Sequence, residues 1–62
     1  MQVNLFKLRK EASLTQKDMA SKLGISATAY RQKESGLREF KMSEMFIIAR
    51  LFKKDIGDIF TE

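Results

Sequence analysis

Few side chains in this 62-residue sequence could carry out covalent chemistry, because it contains no histidine and no cysteine. Imidazole catalysis, thiolate chemistry, disulfides and a Cys/His zinc site are therefore excluded together. The eight carboxylates are spaced singly along the chain, and the adjacent Ser21 and Lys22 point away from any cleft that the pattern suggests. Without a nucleophile and a partner base, the sequence predicts a protein that is not an enzyme and needs no cofactor or metal.

The remaining polar side chains favour binding, because positive charge is in excess. Twelve lysines and arginines against eight aspartates and glutamates give a net charge of +4, which for so short a chain indicates a polyanionic partner. A few extra lysines also serve solubility in many domains.

The longest apolar run, residues 45–49, is far below the ~20 residues of a membrane-spanning helix. The N-terminus lacks the charge order of a signal peptide, so we expect a protein of the reducing cytoplasm.

Helices are the elements that must position these side chains, since apolar residues recur at spacings of three and four without strand-like alternation. Five helices are predicted. Small polar residues mark most of their starts, with Asn4, Thr15, Ser26 and Asp55 as caps and the fourth helix starting near Met42. The spacing of Thr15 and Asp18 predicts a short form of the capping box.

Glycines mark the ends of the second and third helices, at Gly24 and Gly36, because glycine readily adopts the left-handed conformation that closes a helix. The tight turn at Gly24 lets the second and third helices pack at roughly 90–120°, the geometry of a helix-turn-helix unit. Ala20 is small enough to let the two helices approach, and Tyr30 is expected to pack back onto the second helix.

The apolar stripes of the five helices predict one shared core and an all-α, single-domain bundle over residues 1–62. The first helix ends at Ser13. The residues expected to point inward are Leu5, Leu8, Ala12, Met19, Ala20, Leu23, Met45, Ile48, Ala49, Phe52, Ile56, Ile59 and Phe60.

The segment LRKEASLTQKDMASKLGISATAYRQKESG resembles the helix-turn-helix of the phage Cro and repressor proteins, the XRE-type regulators. The resemblance depends on LTQ at Leu14–Gln16, Ala20, LGIS at Leu23–Ser26, Tyr30–Arg31 and ESG at Glu34–Gly36. MSEMFIIARLFKKDIGDIF is similar to the family's fourth and fifth helices, so the match covers about residues 4 to 60. Each feature alone is weak, but the set is fairly specific. It implies a compact five-helix lambda-repressor-like DNA-binding domain, with the helix-turn-helix formed by helices 2 and 3.

The resemblance implies that the third helix enters the major groove, with base edges met by Ala27, Thr28, Arg31 and Gln32. These side chains suit that role, since arginine bonds guanine in a bidentate manner, glutamine bonds adenine, and the alanine and threonine methyl groups contact thymine. Ala27 could equally be only a helix former, and Arg31 and Gln32 could form an ordinary solvated face.

Contacts with the DNA backbone are also implied. Gln16 matches the glutamine that clamps the backbone in this family, and Lys17 adds charge beside the amides at the start of the second helix. Ser35, Arg38 and Lys41 lie in or after the turn that follows the third helix, a region that flanks the backbone in relatives.

Two further positions are expected to be structural. Arg9 and Glu34 match an ion pair that holds the first helix against the third in family members, and removing one partner of a buried pair costs ~3–5 kcal/mol. Lys33 departs from the family pattern, which has an apolar or aromatic residue there. Its aliphatic stem is expected to cover the core while the ammonium group reaches solvent or a phosphate.

Specific binding in this family comes from a dimer on a near-palindromic site, and the sequence has apolar residues to spare for one. Phe46, Ile47 and Leu51 are not all accommodated in a single core, and Leu37 and Phe40 add exposed apolar bulk nearby. This surface predicts a weak homodimer through the fourth and fifth helices. The alternative is that a small bundle with wide apolar stripes buries most of these residues itself.

Together these observations predict a sequence-specific double-stranded DNA-binding regulator, a Cro-like repressor without a small-molecule effector. We expect a short regulator rather than an excised domain, because the chain begins at a natural-looking Met1. The alternative function is a protein-interaction module, an antitoxin or adaptor, on the same fold. An adaptor need not keep Gln16, Arg31 and Gln32 on one exposed face, and its binding would not fall steeply with salt.

Overall fold

The computed structural model describes residues 1–60, and within that range the chain forms five α-helices and no strand. The helices are α1 (Val3–Glu11), α2 (Gln16–Leu23), α3 (Ala27–Ser35), α4 (Met42–Phe52) and α5 (Ile56–Ile59). The all-α, five-helix prediction is confirmed. The last two residues of the predicted 1–62 domain lie outside the described residues.

Side-chain caps fix the starts of α2 and α3 as the sequence predicts. Thr15 Oγ1 accepts the Asp18 N–H at 3.0 Å, and Asp18 Oδ2 accepts the Thr15 N–H at 2.9 Å, which completes the capping box. Ser26 Oγ accepts the Ala29 N–H at 3.0 Å. Since these bonds satisfy amides that would otherwise lack a helical partner, both helices begin at defined residues.

The caps predicted for α1 and α5 are less accurate. The Asn4 cap is wrong because α1 begins at Val3, and the Asn4 side-chain amide donates to the Asp58 carbonyl oxygen at 3.2 Å. Asn4 therefore joins α1 to α5 instead of starting a helix. Asp55 holds the N-cap position of α5, but it accepts the Asp58 N–H through its backbone oxygen, at 3.0 Å, and not through its carboxylate.

The corner between α2 and α3 has the predicted left-handed glycine. Gly24 has φ +70° and ψ 30°, and the Ile25 N–H donates to the Ala20 carbonyl oxygen at 3.0 Å, which closes the end of α2. Ala20 is buried where the two helices meet, so its small side chain permits their close packing. The prediction that helices 2 and 3 form the helix-turn-helix is confirmed.

One core joins all five helices, and its buried apolar members are Leu5, Met19, Ala20, Tyr30, Phe40, Ile48, Ala49 and Ile59. Most of the predicted inward residues belong to this core or pack against it. Ala12 does not: it is exposed because α1 ends one residue earlier, at Glu11.

Phe40 was expected to be exposed, and that prediction is wrong. Its residue exposure is 9%, and its ring packs edge-on against Tyr30, with centroids 5.9 Å apart, and against Phe60, at 5.4 Å. The loop between α3 and α4 is therefore anchored in the core by an aromatic side chain.

Gly24 and Gly57 provide a matched pair of glycine-to-alanine substitutions, because within residues 1–60 a Cβ added at either position lies more than 4 Å from every atom outside the adjacent residues and the local helix backbone. Only the backbone conformation then distinguishes them. Left-handed Gly24 should cost alanine ~1–2 kcal/mol, whereas helical Gly57 should gain ~0.5–1 kcal/mol. In urea unfolding, Gly24→Ala is expected to be less stable than wild type and Gly57→Ala more stable. Equal stability of Gly24→Ala and wild type would contradict the left-handed corner.

Candidate nucleic-acid interface

Helix α3 has two chemically different faces. Tyr30, Lys33 and Glu34 are buried against the rest of the bundle. The four predicted base-reading residues lie on the other side: Ala27, Thr28 and Arg31 are exposed and Gln32 is partly buried. An α-helix with its side chains is about 10–12 Å across, close to the ~12 Å width of the DNA major groove.

The start of α2 lies beside the start of α3. A concave surface is lined by residues from the end of α1 and the beginnings of both helices, including Lys10, Thr15, Gln16, Lys17 and Ala27. The first-turn amides of α2 carry partial positive charge, and Lys17 is exposed beside them. The fold thus brings the predicted backbone-contact residues of α2 next to the first predicted base-reading residue of α3.

Gln16 also takes part in an internal hydrogen bond that the sequence pattern did not reveal. Its Nε2 donates to Glu34 Oε1 at 3.1 Å, and the side chain is partly buried. An amide nitrogen has two N–H donors, so this bond leaves one donor for an external acceptor. It also fixes the side-chain direction, because Glu34 holds the other donor.

Glu34 is the acceptor in four side-chain hydrogen bonds. Arg9 donates from Nε to Oε2 at 2.8 Å and from Nη2 to Oε1 at 3.1 Å, and Tyr30 Oη donates to Oε2 at 2.8 Å, besides the Gln16 bond. Arg9 Nη1 donates to the Leu14 carbonyl oxygen at 2.9 Å. The predicted Arg9–Glu34 pair is thus a buried, bidentate contact between α1 and α3, and the Gln16 bond to the same carboxylate adds α2.

The protonation states of this cluster follow from its hydrogen bonds. Burial acts to raise the pKa of Glu34, but hydrogen bonds from Arg9, Gln16 and Tyr30 outweigh it, and the pKa is lowered. Burial, followed by the hydrogen bond to Glu34, raises the pKa of the Tyr30 phenol. At neutral pH the cluster therefore contains a carboxylate, a guanidinium and a neutral phenol donor.

Lys33 does not reach solvent or a phosphate, and that expectation is wrong. Its exposure is 3%, and Nζ donates to both carboxylate oxygens of Glu44, at 2.7 and 2.8 Å. Glu44 Oε1 also accepts the Lys41 N–H at 2.8 Å. The spacing of Lys41 and Glu44, that of a capping box, was the available signal for placing this carboxylate at the start of α4.

The residues after the helix-turn-helix occupy different positions. Ser35 is the last residue of α3, and its hydroxyl donates to the Gln32 carbonyl oxygen at 3.0 Å. Arg38 is exposed on the loop, and Lys41 is exposed at the N-cap of α4. All three lie at the C-terminal side of α3, so the predicted backbone contacts fall at both ends of this helix.

An apolar surface lies on the outer face of α4. Phe46, Ile47 and Leu51 are 56%, 43% and 37% exposed, while Ile48 and Ala49 on the inner face are buried. The exposed Leu37 lies in the loop that precedes the helix. Ile47 and Leu51 are four residues apart and share one side of the helix.

The described part of the chain has neither a metal-binding group of side chains nor a membrane-spanning helix. Within residues 1–60, acidic side chains do not gather in a group that could ligate a metal ion. None of the helices in that range has the length and apolar character needed to cross a membrane.

A family model described as helix-turn-helix matches residues 5–59, nearly the whole chain. The chain belongs to this family, that of the XRE-type helix-turn-helix DNA-binding proteins. No curated protein and no solved structure matches it. Membership makes the protein a DNA-binding transcription regulator, and α2 and α3 are its helix-turn-helix.

The buried carboxylates make stability depend on pH. The pKa of Glu34 is lowered, and so is that of Glu44, where burial opposes the shift but hydrogen bonds from Lys33 and Lys41 outweigh it. A carboxyl group with a lowered folded pKa stabilises the fold above its unfolded pKa, and that contribution is lost as pH falls through the folded pKa. We expect the free energy of unfolding to fall below about pH 4.3, the ordinary glutamate pKa.

Urea unfolding at a series of pH values from neutral to about pH 3 would measure this loss. Glu44→Gln should lower stability at neutral pH and flatten the pH dependence. Glu39→Gln removes an exposed loop carboxylate and should keep the wild-type profile. A wild type whose stability does not change over this range would contradict the arrangement of the buried carboxylates.

Proposed function

We propose that this regulator is a sequence-specific repressor of the Cro type, which binds a near-palindromic operator as a dimer with α3 in the major groove. The observation that carries the proposal is the exposed N-terminal face of α3 beside the first turn of α2. The proposed repressor acts by occupying the promoter, since so small a domain has little surface for recruiting polymerase. It works without a small-molecule effector.

Base reading is assigned to four residues whose chemistry differs. The Arg31 guanidinium forms two parallel hydrogen bonds with guanine O6 and N7, and the Gln32 amide pairs with adenine N6 and N7. The methyl groups of Ala27 and Thr28 contact thymine. Burial of the opposite face of α3 supports this assignment, because it leaves little rotational freedom in how the helix meets the groove.

Backbone contacts are assigned to Gln16 and Lys17 on one side of the helix and to Ser35, Arg38 and Lys41 on the other. Electrostatics supports a phosphate partner. Arg9 and Lys33 are neutralised by buried carboxylates, so the net charge of +4 is carried by the surface. Phosphate contacts fix the register of the protein on the duplex, while base contacts determine the sequence.

The test is selection from a pool of random duplex DNA by fluorescence anisotropy, with a salt titration and sequencing of the bound fraction. We expect affinity to fall steeply with salt and a near-palindromic motif to be enriched. Binding no tighter than that of any basic protein, with no enriched sequence, would disprove base reading. The exposed face of α4 would then be the surface to examine for a protein partner.

Arg31→Ala should relax specificity at one position in each half-site of the selected motif, at a cost of ~1–3 kcal/mol in binding. Arg31 is exposed, so the variant should unfold in urea like the wild type. Lys17→Ala is the matched control, because removal of a side chain that meets only a phosphate weakens binding to all sequences by a similar factor. If Arg31→Ala weakens every sequence equally, the residue contacts the backbone and does not read a base.

The dimer is assigned to the apolar surface of α4. One recognition helix reads only a few base pairs, whereas two copies on half-sites one helical turn apart read a longer site. The exposed Phe46, Ile47 and Leu51 support a partner surface, and Leu37 extends it. The contact is weak in solution, because these three side chains are already partly covered within one subunit.

Replacing both Ile47 and Leu51 by glutamine should weaken self-association and cooperative binding to the full operator, since it removes most of the shared apolar side. Binding to a single half-site should be unchanged. Sedimentation and titration of full-site and half-site duplexes would measure both. Val3→Gln, which removes an exposed apolar side chain from α1, is the control. A wild-type protein that sediments as a monomer at high concentration, free and on DNA, would disprove the dimer.

A further inference from the structure

We propose that Lys33 and Glu44 are positioning residues for DNA: their buried ion pair holds the α3–α4 loop so that Arg38 and Lys41 meet the phosphate backbone. The inference rests on the proposed function and assigns a role within it to a pair that the sequence pattern did not reveal. Neither residue touches DNA, and each acts through the loop between them.

The Glu44 carboxylate joins three parts of the chain at one point. Both of its oxygens accept from Lys33 Nζ, at 2.7 and 2.8 Å, and Oε1 also accepts the Lys41 N–H at 2.8 Å. Lys33 lies in the last turn of α3, Lys41 at the N-cap of α4 and Glu44 in the first turn of α4. One side chain therefore fixes the position of the last turn of α3 relative to the end of the loop that follows it.

The rest of the loop is held on the same side of the molecule. The Leu37 and Arg38 N–H groups donate to the Gln32 carbonyl oxygen at 2.9 and 3.2 Å, and Phe40 is packed between Tyr30 and Phe60. The exposed Arg38 and Lys41 side chains thus project from backbone whose position is fixed relative to α3. Their distance from the base-reading face is set before DNA is bound, which reduces the ordering that binding requires.

An ion pair is a poor way to gain stability at this place. Apolar residues of similar size often replace a buried pair with no loss of stability, because both charges must be removed from water. The pair instead fixes the placement of the α3–α4 loop relative to α3, since the lysine donors and the carboxylate oxygens meet at defined lengths and angles. An apolar contact would fill the space without fixing how far the loop extends from α3.

The test uses the double variant Lys33→Met with Glu44→Gln, which removes both charges together. Glutamine can still accept the Lys41 N–H in a capping box, so we expect the variant to fold. The slope of log affinity against log salt should become less steep by about 0.9 for each phosphate that the protein no longer neutralises. If neither Arg38 nor Lys41 meets its phosphate, the slope changes by roughly 1.8, while the preferred sequence stays the same.

A double-mutant comparison distinguishes a positioning role from a purely structural one. If Lys33 and Glu44 position Arg38 and Lys41, substitutions in the two pairs do not have additive effects on the salt slope. Arg38→Gln with Lys41→Gln should reduce the slope in the wild type, but have little further effect when Lys33→Met and Glu44→Gln are present. Lys7→Gln with Lys54→Gln is the matched control, because it removes two exposed charges near the α1–α5 contact. It should lower the slope by less in both backgrounds. Lys33→Arg, which keeps a cation, should retain most of the wild-type slope.

Two results would disprove the positioning role while the proposed function stands. One is a folded double variant that keeps the wild-type salt slope, and the other is additive effects on that slope from the two pairs of substitutions. If the wild type shows no salt-dependent DNA binding, the proposed function itself fails.

A second variant covers the case in which the double variant does not fold. Glu44→Asp keeps a carboxylate that can cap α4, as Asp18 does for α2, but it is one methylene too short for the same bond to Lys33. It should shift the slope in the same direction, and an unchanged slope would overturn the proposal.

Discussion

The Glu34 carboxylate is the constraint on which the helix-turn-helix depends. It accepts two hydrogen bonds from Arg9 on α1, one from Gln16 on α2 and one from Tyr30 on its own helix. A domain of about 60 residues buries only about 60% of the surface that its unfolded chain exposes and is marginally stable. A buried charge is therefore acceptable only if its hydrogen bonds are complete. Within residues 1–60 no buried side-chain nitrogen or oxygen lacks a partner. The cluster meets that condition and fixes three helices at one point.

This arrangement also affects the proposed interface. Gln16 is the one member of the cluster that is partly exposed, and its amide has a second donor available for a phosphate. The residue that is expected to clamp DNA is therefore oriented from inside by the same carboxylate that holds α3. Disturbing Glu34 would change the fold and the clamp together, so DNA-binding data on such variants need a measure of folding beside them.

Features that depend on neighbouring residues were predicted well from the sequence. The capping box of Thr15 and Asp18, the Ser26 cap and the left-handed Gly24 all involve residues within a few positions of one another. Their geometry is determined by local hydrogen bonds and backbone sterics. For the same reason the exposed face of α3 could be assigned once Tyr30 was expected to point inward.

Errors occurred where the outcome depends on distant partners. Asn4 has the character of a cap, but it bonds the Asp58 carbonyl oxygen 54 residues away. Phe40 lies in a polar loop and its burial depends on Tyr30 and Phe60. Lys33 is a surface residue by composition and becomes buried only because Glu44 from the next helix reaches it. Periodicity within one helix contains no information about such partners.

The two buried charges of α3 are adjacent in sequence and point to opposite neighbours. Glu34 is tied to α1 and α2, and Lys33 is tied to α4, so together they hold the C-terminal half of α3 against three other helices. Ala27, Thr28 and Arg31 lie on the exposed face of the other turns, outside these networks. It follows that the residues that hold the helix in place are distinct from those proposed to read bases. Under the proposed function, substitutions at these exposed positions alter the preferred DNA sequence with little effect on the fold, since surface changes of this kind usually shift stability by less than ~0.5 kcal/mol.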